Sequence, residues 1–542
     1  MTTPQEPSPP PHERRSAPLH SDGDPAGPFR IHDLLRPDAF PHPVALLELR
    51  ETLISWIILT GEFAYKIKKP VRLDYLDAAT LSRREYLCRE ELRLNQRLAP
   101  EIYLDVVPIG RSATGLRVNA EGPPAEFAVR MREFAEDQLL HELLGASAVT
   151  AAELATLGRS LAAFHSQAAL ALLKPPDSYP DRIRRTVNRN LASLAFEEQP
   201  MARIRDALAE WMVAMLQNLA GEFRLRESER RIRECHGDLH ARNVVRFAGR
   251  LTPFDCLEFD RELRETDVMN DTAFLVMDLV AHARRDLAVA FLDAYLEDGG
   301  DYRGLRLLRF YAVHRALVRA MVDLFGARQA GPQSEELRRR LEARLRTAMT
   351  FLQPVRPTLI LMHGASGSGK SWLSERLAAA LPAIRLRSDR ERKRLPGLAA
   401  GQDLYAPAVS QRVYAHLADC ARSCLEAGLH TIVDATFLSA EERRAFQRLG
   451  AELQVDFAIL ACTCDEALMY ERVRTRLAQR RDPSDATPDV LARQLAHMAA
   501  FEDQERAHVI ALDTSASDAP EAALALLTRR FPPGGPTAAS GT

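Results

Sequence analysis

Three groups of residues in this 542-residue sequence have the types and spacing that phosphate chemistry requires. The densest is PTLILMHGASGSGKS, residues 357–371. Its turn is Gly364, Ala365, Ser366, Gly367, Ser368, Gly369, Lys370 and Ser371, which fits G-x-x-x-x-G-K-[ST] at every fixed position. Glycines let backbone N–H groups wrap a polyphosphate, and the start of a following helix adds partial positive charge. In such a turn the lysine reaches the β and γ phosphates and the serine hydroxyl ligates Mg²⁺. A flexible Gly/Ser loop is the plain alternative. The apolar strand before the turn and the helix-forming run WLSERLAAAL after it weigh against that. The second group is HGDLHARN, with Asp238 five residues before Asn243 and Asp255 twelve further on. Phosphoryl transfer needs a carboxylate at the accepting hydroxyl and oxygen ligands for Mg²⁺. Asp238 suits the first task, and Asn243 and Asp255 the second; a polar turn that caps its neighbours is the alternative. The third group is lysine itself. Of 72 basic residues only six are lysine: Lys66, Lys68, Lys69, Lys174, Lys370 and Lys393. One lies in the phosphate turn and three crowd into AYKIKKP. Lysine is a compact point charge for phosphate, not interchangeable with the arginine fork.

These residues need elements to hold them. Residues 52–59 read as a strand, Thr60-Gly61 as a turn, and 63–68 as the returning strand, with Lys66 and Lys68 on one face. A helix over 81–98 carries Glu85, Glu90 and Glu91. Strands follow at 102–109 and 126–134, and helical text over 150–233. The Asp238 loop leads to a strand at 243–247 and a second strand entering residues 254–255. Helices fill 267–352, and Pro354 and Pro357 mark a boundary. Beyond it strands at 358–362, 383–386, 431–433 and 457–461 alternate with helices, the pattern of a parallel sheet. The 383–386 strand is expected beside the 358–362 strand. The predicted domains are 29–353 and 354–529, between disordered tails at 1–28 and 530–542.

Composition narrows the class. Apolar content of 46% and charged content of 27% are ordinary for a soluble globular chain. A net charge of −2 does not advertise a nucleic-acid surface. Seven cysteines form no CxxC pair, which suits a reducing, cytoplasmic compartment. No apolar run is long enough to span a membrane.

Residues 29–352 resemble the aminoglycoside phosphotransferase and choline kinase branch of the protein-kinase-like fold. The likeness rests on AYK (residues 64–66), HGDLHxxN (236–243) and the Asp255 strand. It implies that Lys66 meets the nucleotide phosphates and that a helix acid, Glu91, positions it, with Glu90 a close competitor. It implies that Asp238 is the catalytic aspartate and that Asn243 and Asp255 bind metal. The text FDCLEF departs from the aspartate-tryptophan or DFG form, and the nucleotide turn has only Gly61. Glu258 and Asp260 are extra carboxylates there. Residues from 357 resemble small P-loop kinases of the polynucleotide-kinase-like and gluconate-kinase-like group, through GASGSGKS, RSDRER, TIVDATF and ERVRTRLAQRR. That likeness implies that Asp389 acts on the acceptor hydroxyl, Arg392 holds the substrate, and Asp434 is the Walker B acid. An N-cap is the alternative for both aspartates. Arg472, Arg476 and Arg480 fall four apart on one helix face, as a lid over phosphates or as a solvated face.

Joined in this order, the halves resemble bacterial proteins described as bifunctional aminoglycoside phosphotransferase/ATP-binding proteins. The expected fold is an α+β bilobal protein-kinase-like domain followed by an α/β P-loop NTPase domain. The expected activity is transfer of the ATP γ-phosphoryl, at two ATP–Mg²⁺ sites, to hydroxyls of small-molecule or nucleotide acceptors. The rival readings are a regulatory pair in which one half gates the other, and a nucleic-acid 5′-hydroxyl kinase.

Overall fold

The computed structural model describes residues 29–73, 76–173, 176–194, 201–329, 334–395, 406–479 and 486–532. The tails expected at 1–28 and after 532 lie outside them. The chain divides into two compact units: Met1–Ala135 with Phe254–Arg261, and Glu136–Pro253 with Glu262–Thr542.

Among its described residues the first unit is an antiparallel sheet with one long α-helix. Its strands are β1 (Glu48–Glu51), β2 (Ser55–Leu59), β3 (Phe63–Lys68), β4 (Tyr103–Ser112), β5 (Gly115–Val118) and β6 (Pro124–Arg132). They lie in the order β1-β2-β3-β6-β4-β5. β1 and β5 were not legible in the sequence. β3 is central, with Lys66 opposite Ile57 on β2 and Val129 on β6. Period-two alternation sends Tyr65 and Ile67 into a core with Ile58, Val107 and Ala128. The other face of β3, bearing Lys66 and Lys68, meets helix α1 (Leu81–Asn95). Thr80 caps α1 by accepting the Arg83 N–H. The helix buries Leu87, Cys88, Glu91 and Leu94. It stops at Asn95, short of the predicted residue 98.

The second unit holds a helical bundle and a parallel sheet. In the bundle, helix α2 (Ala151–Gln167) starts on a Thr150/Glu153 capping box. It packs on α3 (Arg285–Gly299) closely enough that a Cβ on Gly158 would stand 2.3 Å from the Phe291 carbonyl oxygen. A hairpin, Val244–Phe247 with Arg250–Pro253, follows the Asp238 loop. The second strand was expected to enter residues 254–255 and ends instead at Pro253. Asp255 has φ 62°, which no strand tolerates.

A buried ion triad organises the bundle. Arg226 is fully buried and donates to Asp267 at 2.6 and 2.9 Å and to Asp301 at 2.8 Å. Arg226→Ala leaves two buried carboxylates without their cation. It is expected to cost about 3–5 kcal/mol, read as a lower urea midpoint; a midpoint unchanged from wild type would refute the triad's role.

The parallel sheet comprises β9 (Thr358–His363), β10 (Ala383–Arg387), β11 (His430–Asp434), β12 (Asp456–Thr463) and β13 (Val509–Asp513), the hairpin strands above being β7 and β8. Every pairing is parallel, in the order β10-β11-β9-β12-β13. β9 is buried at all six positions, as a strand covered on both faces must be. The expected adjacency of β10 to β9 does not hold, because β11 lies between them. β13 was also not anticipated. The final helix, Ala519–Arg530, runs one residue into the predicted tail. The Pro354–Pro357 link falls inside this compact unit. Among the described residues no helix is long and apolar enough to cross a membrane.

Candidate active site

In the first unit the lysine face of β3 meets the acids of α1. Lys66 Nζ donates to Glu91 Oε1 at 2.7 Å and to Asp255 Oδ1 at 2.5 Å. Lys68 binds the other Glu91 oxygen at 2.5 Å and also the Glu258 carboxylate. Glu91 is therefore shared by two ammonium groups, while Asp255 and Glu258 come from one short segment. Glu90 turns away and pairs with Arg93 at 2.7 Å. Burial pushes the Glu91 carboxyl up, but Lys66 and Lys68 outweigh it and bring it down to about 2. For Glu258 burial wins, and Lys68 offsets only part of the rise. Lys68 is 1% exposed and Lys66 11%, so Lys66 is the lysine with an open side. Asp255 keeps its left-handed conformation because the Tyr103 hydroxyl accepts its N–H at 3.1 Å. Asn95 Oδ1 accepts the next N–H, from Cys256, at 2.8 Å. The role of Lys68 was missed, although its place on the Lys66 face was legible.

In the second unit the Asp238 loop hangs from one buried helix, Val268–Ala281. Asp271 accepts the N–H groups of His236 and Gly237 at 3.0 and 2.9 Å, and His165 Nε2 lies 3.1 Å from it. Asp278 accepts the Ala241 N–H at 2.9 Å. Asn243 Nδ2 donates to the Asp238 carbonyl at 3.0 Å and to its carboxylate at 3.1 Å. The side chains of Asp271, Asp278, His236 and His240 thus hold the turn's N–H groups, while Asp238 contributes its backbone carbonyl, which accepts the His240 N–H at 3.0 Å. Burial raises the Asp238 carboxyl, yet His240 and Arg319 outweigh it and hold it well below the usual carboxylate range. About a third of the side chain remains exposed. Asp271 and Asp278 were missed; their seven-residue spacing on one helix was the available signal.

The glycine turn closes β9. Gly367 has φ 81°, and a Cβ there would stand 2.5 Å from the Met469 carbonyl oxygen, so this pattern-free position also demands glycine. The turn is pinned from outside. Gln494 accepts the Ser366 N–H at 2.8 Å, Thr514 donates to the Ser368 carbonyl at 2.7 Å, and Arg472 donates to the Gly367 carbonyl at 3.2 Å. Lys370 is buried and donates to the Ala365 carbonyl at 2.8 Å. Burial lowers its pKa, opposed by the charges of Asp434 and Asp389. Asp434, at the end of β11, accepts the Ser374 hydroxyl at 3.0 Å. It does not cap the next helix, which starts on a Ser439/Glu442 capping box. Asp389 is the second residue of a short helix, α11 (Ser388–Arg394).

One cleft of about 630 Å³ gathers these groups. Ser366, Gly367, Gly369, Lys370 and Ser371 line it together with Asp389, Arg392 and Asp434. Arg387, Arg472, Arg476 and Arg493 also line it. Arg472 is tied to the turn, so its helix face is not merely solvated. Arg480 lies outside the described residues. Gly364, Ala365 and Ser368 complete the turn's backbone.

The phosphotransferase enzyme family matches residues 82–308, and an AAA domain matches residues 359–501. An uncharacterised protein of Mycobacterium tuberculosis (strain H37Rv) is 30% identical over 482 residues, covering 86% of this chain and 93% of its own. An uncharacterised protein of Mycobacterium bovis matches with the same figures. Among solved structures, a choline/ethanolamine kinase family protein from Mesorhizobium loti is 14% identical. It covers 57% of this chain and 89% of its own, with a TM-score of 0.37. A gluconokinase from Sinorhizobium meliloti is 20% identical and covers 33% of this chain and 95% of its own, with a TM-score of 0.25.

Proposed function

We propose, for a chain that belongs to one family with these mycobacterial proteins and joins a phosphotransferase domain to a P-loop kinase domain, a bifunctional ATP-dependent phosphotransferase. Each half binds ATP with Mg²⁺ and passes the γ-phosphoryl to a hydroxyl of a small-molecule or nucleotide acceptor. The observation that carries this reading is the P-loop cleft, which collects a phosphate turn, a strand-end carboxylate and a second carboxylate beside an arginine. A protein that only bound nucleotide would need neither Asp389 nor Arg392.

In the P-loop half, the turn and Lys370 hold the phosphates. Ser371 and Asp434 are oxygen donors, the set a hard divalent cation prefers, and would hold Mg²⁺. Mg²⁺ bound there offsets charge on the phosphate oxygens. Asp389 takes the acceptor proton, and Arg392 and Arg476 balance charge on acceptor and phosphates. Five arginines line the cleft, which favours an acceptor that carries its own negative charge. In the kinase-like half, Lys66, positioned by Glu91, meets the nucleotide phosphates. Asn243 and Asp255 would each offer an oxygen ligand to Mg²⁺, and Asp238 would act on the acceptor hydroxyl. A cytoplasmic location belongs to the same reading, supported by seven free cysteines.

The test is an acceptor screen with labelled ATP on the full chain, read for phosphate on the acceptor. Lys370→Ala silences the P-loop half and Asp255→Ala the other. Asp255→Ala, in the Lys370→Ala background, is expected to abolish Mg²⁺-dependent binding of an ATP analogue. Unchanged Mg²⁺-dependent affinity would sink the metal assignment.

A further inference from the structure

We propose that Glu297, on α3 of the helical bundle, is a positioning residue for phosphoryl transfer in the P-loop cleft. It holds the arginines that flank Ser388 and Asp389, and so sets where Asp389 and Arg392 stand. The proposal rests on the reading of Asp389 given above.

Helix α11 carries Asp389 and Arg392, yet it is only seven residues long. A helix that short does not hold itself in water and takes its place from what it packs against. Its N-cap, Arg387, makes no side-chain cap bond. The support comes from α3. Glu297 Oε1 stands 3.1 Å from Arg387 Nη1 and 3.3 Å from Arg390 Nε. Arg394, at the far end of α11, donates to the Glu297 backbone carbonyl. One turn earlier on α3, the half-buried Asp293 carboxylate accepts the Arg385 N–H at 2.7 Å, just before the helix begins. The Tyr302 hydroxyl points at Glu391 from 3.5 Å. Glu391 is 1% exposed and faces into the junction.

Glu297 stands apart from a surface ion pair in two ways. It and Arg387 are each 16% exposed, so the pair is mostly shielded. Arg387 also lines the cleft, so one side chain links Glu297 to the reacting space. The Asp298–Arg390 pair beside it is about a third exposed on both partners and should matter little. The phosphate turn is held instead by Gln494, Thr514 and Arg472, none of them on α3. The phosphate turn and the Asp389 helix therefore have separate supports. Loosening α11 should spare nucleotide binding and damage transfer, which depends steeply on the placement of the reacting groups.

The experiment uses the full chain carrying Asp255→Ala, which silences the kinase-like half. The P-loop signal is the part lost when Lys370→Ala is added. Glu297→Ala and, as a control, Asp298→Ala are compared by three measurements. They are the affinity for a fluorescent ADP with Mg²⁺, hydrogen exchange of residues 387–394, and ATP turnover across a panel of sugar acids, polyols and nucleosides. Glu297→Ala is expected to keep ADP affinity and ATP KM within about twofold. Exchange over 387–394 should quicken, and the Asp389-dependent kcat should fall about tenfold or more. Asp298→Ala should match the parent. Unchanged exchange in Glu297→Ala, or faster exchange with full turnover, overturns the proposal. A panel with ATP turnover that Asp389→Asn does not reduce overturns the Asp389 reading itself, and the exchange result then reports the clamp alone.

Discussion

Asp238→Asn is expected to leave nucleotide affinity in the kinase-like half intact while turnover there falls by about 10²–10⁴-fold, the span of general acid–base contributions. The substitution keeps the side chain's shape and its contact with Asn243 and removes the charge. The loop around it should survive, because Asp271 and Asp278 hold the backbone of His236, Gly237 and Ala241 independently of Asp238. His240 and Arg319 keep the wild-type carboxyl ionised well below neutral pH, against its burial. A depressed pKa means the charged form persists as pH falls, so no acid limb from Asp238 should appear between pH 5 and 8, a window above the ordinary carboxylate range. Turnover is read in the Lys370→Ala background so that only this half contributes. Full-speed turnover by Asp238→Asn would return the residue to the role of an ordinary polar turn.

Why some of this was legible and some was not follows from the range of the interactions. The lysine face of β3 was readable because strand periodicity is local: Lys66 and Lys68 had to share a face, and they do. The glycine turn was readable because its pattern encodes a backbone shape. The choice of Glu91 over Glu90 needed helix phase, which a sequence leaves uncertain by a residue; packing settled it by pairing Glu90 with Arg93. Asp255 was read as a strand-end residue because FDCLEF is apolar enough to look extended. Two distant side chains, Tyr103 and Asn95, hold the segment in another shape. The placement of β11 between β9 and β10 is a matter of crossover topology, which strand text does not record. It changes the argument for Asp389, since the aspartate does not neighbour the phosphate strand directly. Asp434 at the end of β11 stands between, and the cleft draws on the ends of three adjacent strands, where open α/β sheets bind ligands. Glu297 left no readable trace, because its partners lie some ninety residues on, across a proline-marked boundary.

Asp389→Asn is expected to retain ATP binding and to lower transfer in the P-loop half by roughly 10²-fold or more. The turn and Lys370 account for phosphate binding, and neither depends on Asp389 for a hydrogen bond. Asp389 does act on Lys370 through its charge, opposing the drop that burial imposes on the lysine. It thus lies near Lys370 in the same cleft without being needed to hold the turn. On the function proposed above, it could accept a hydroxyl proton from the wall of the cleft as that oxygen attacks the γ-phosphorus, while Arg392 on the same helix would hold an anionic acceptor. The rival account is that Asp389 serves only the first turn of α11. The helix has its N-cap at Arg387, so Asp389 is not the cap, and what remains is a favourable charge near the helix start. That is worth about 0.3–1 kcal/mol, seen as a slightly lower melting temperature with turnover near normal. Melting temperature, ATP affinity and transfer rate on one variant separate the two accounts. A catalytic Asp389 gives a protein as stable as wild type that binds ATP and barely transfers. A less stable but fully active Asp389→Asn protein refutes the catalytic role.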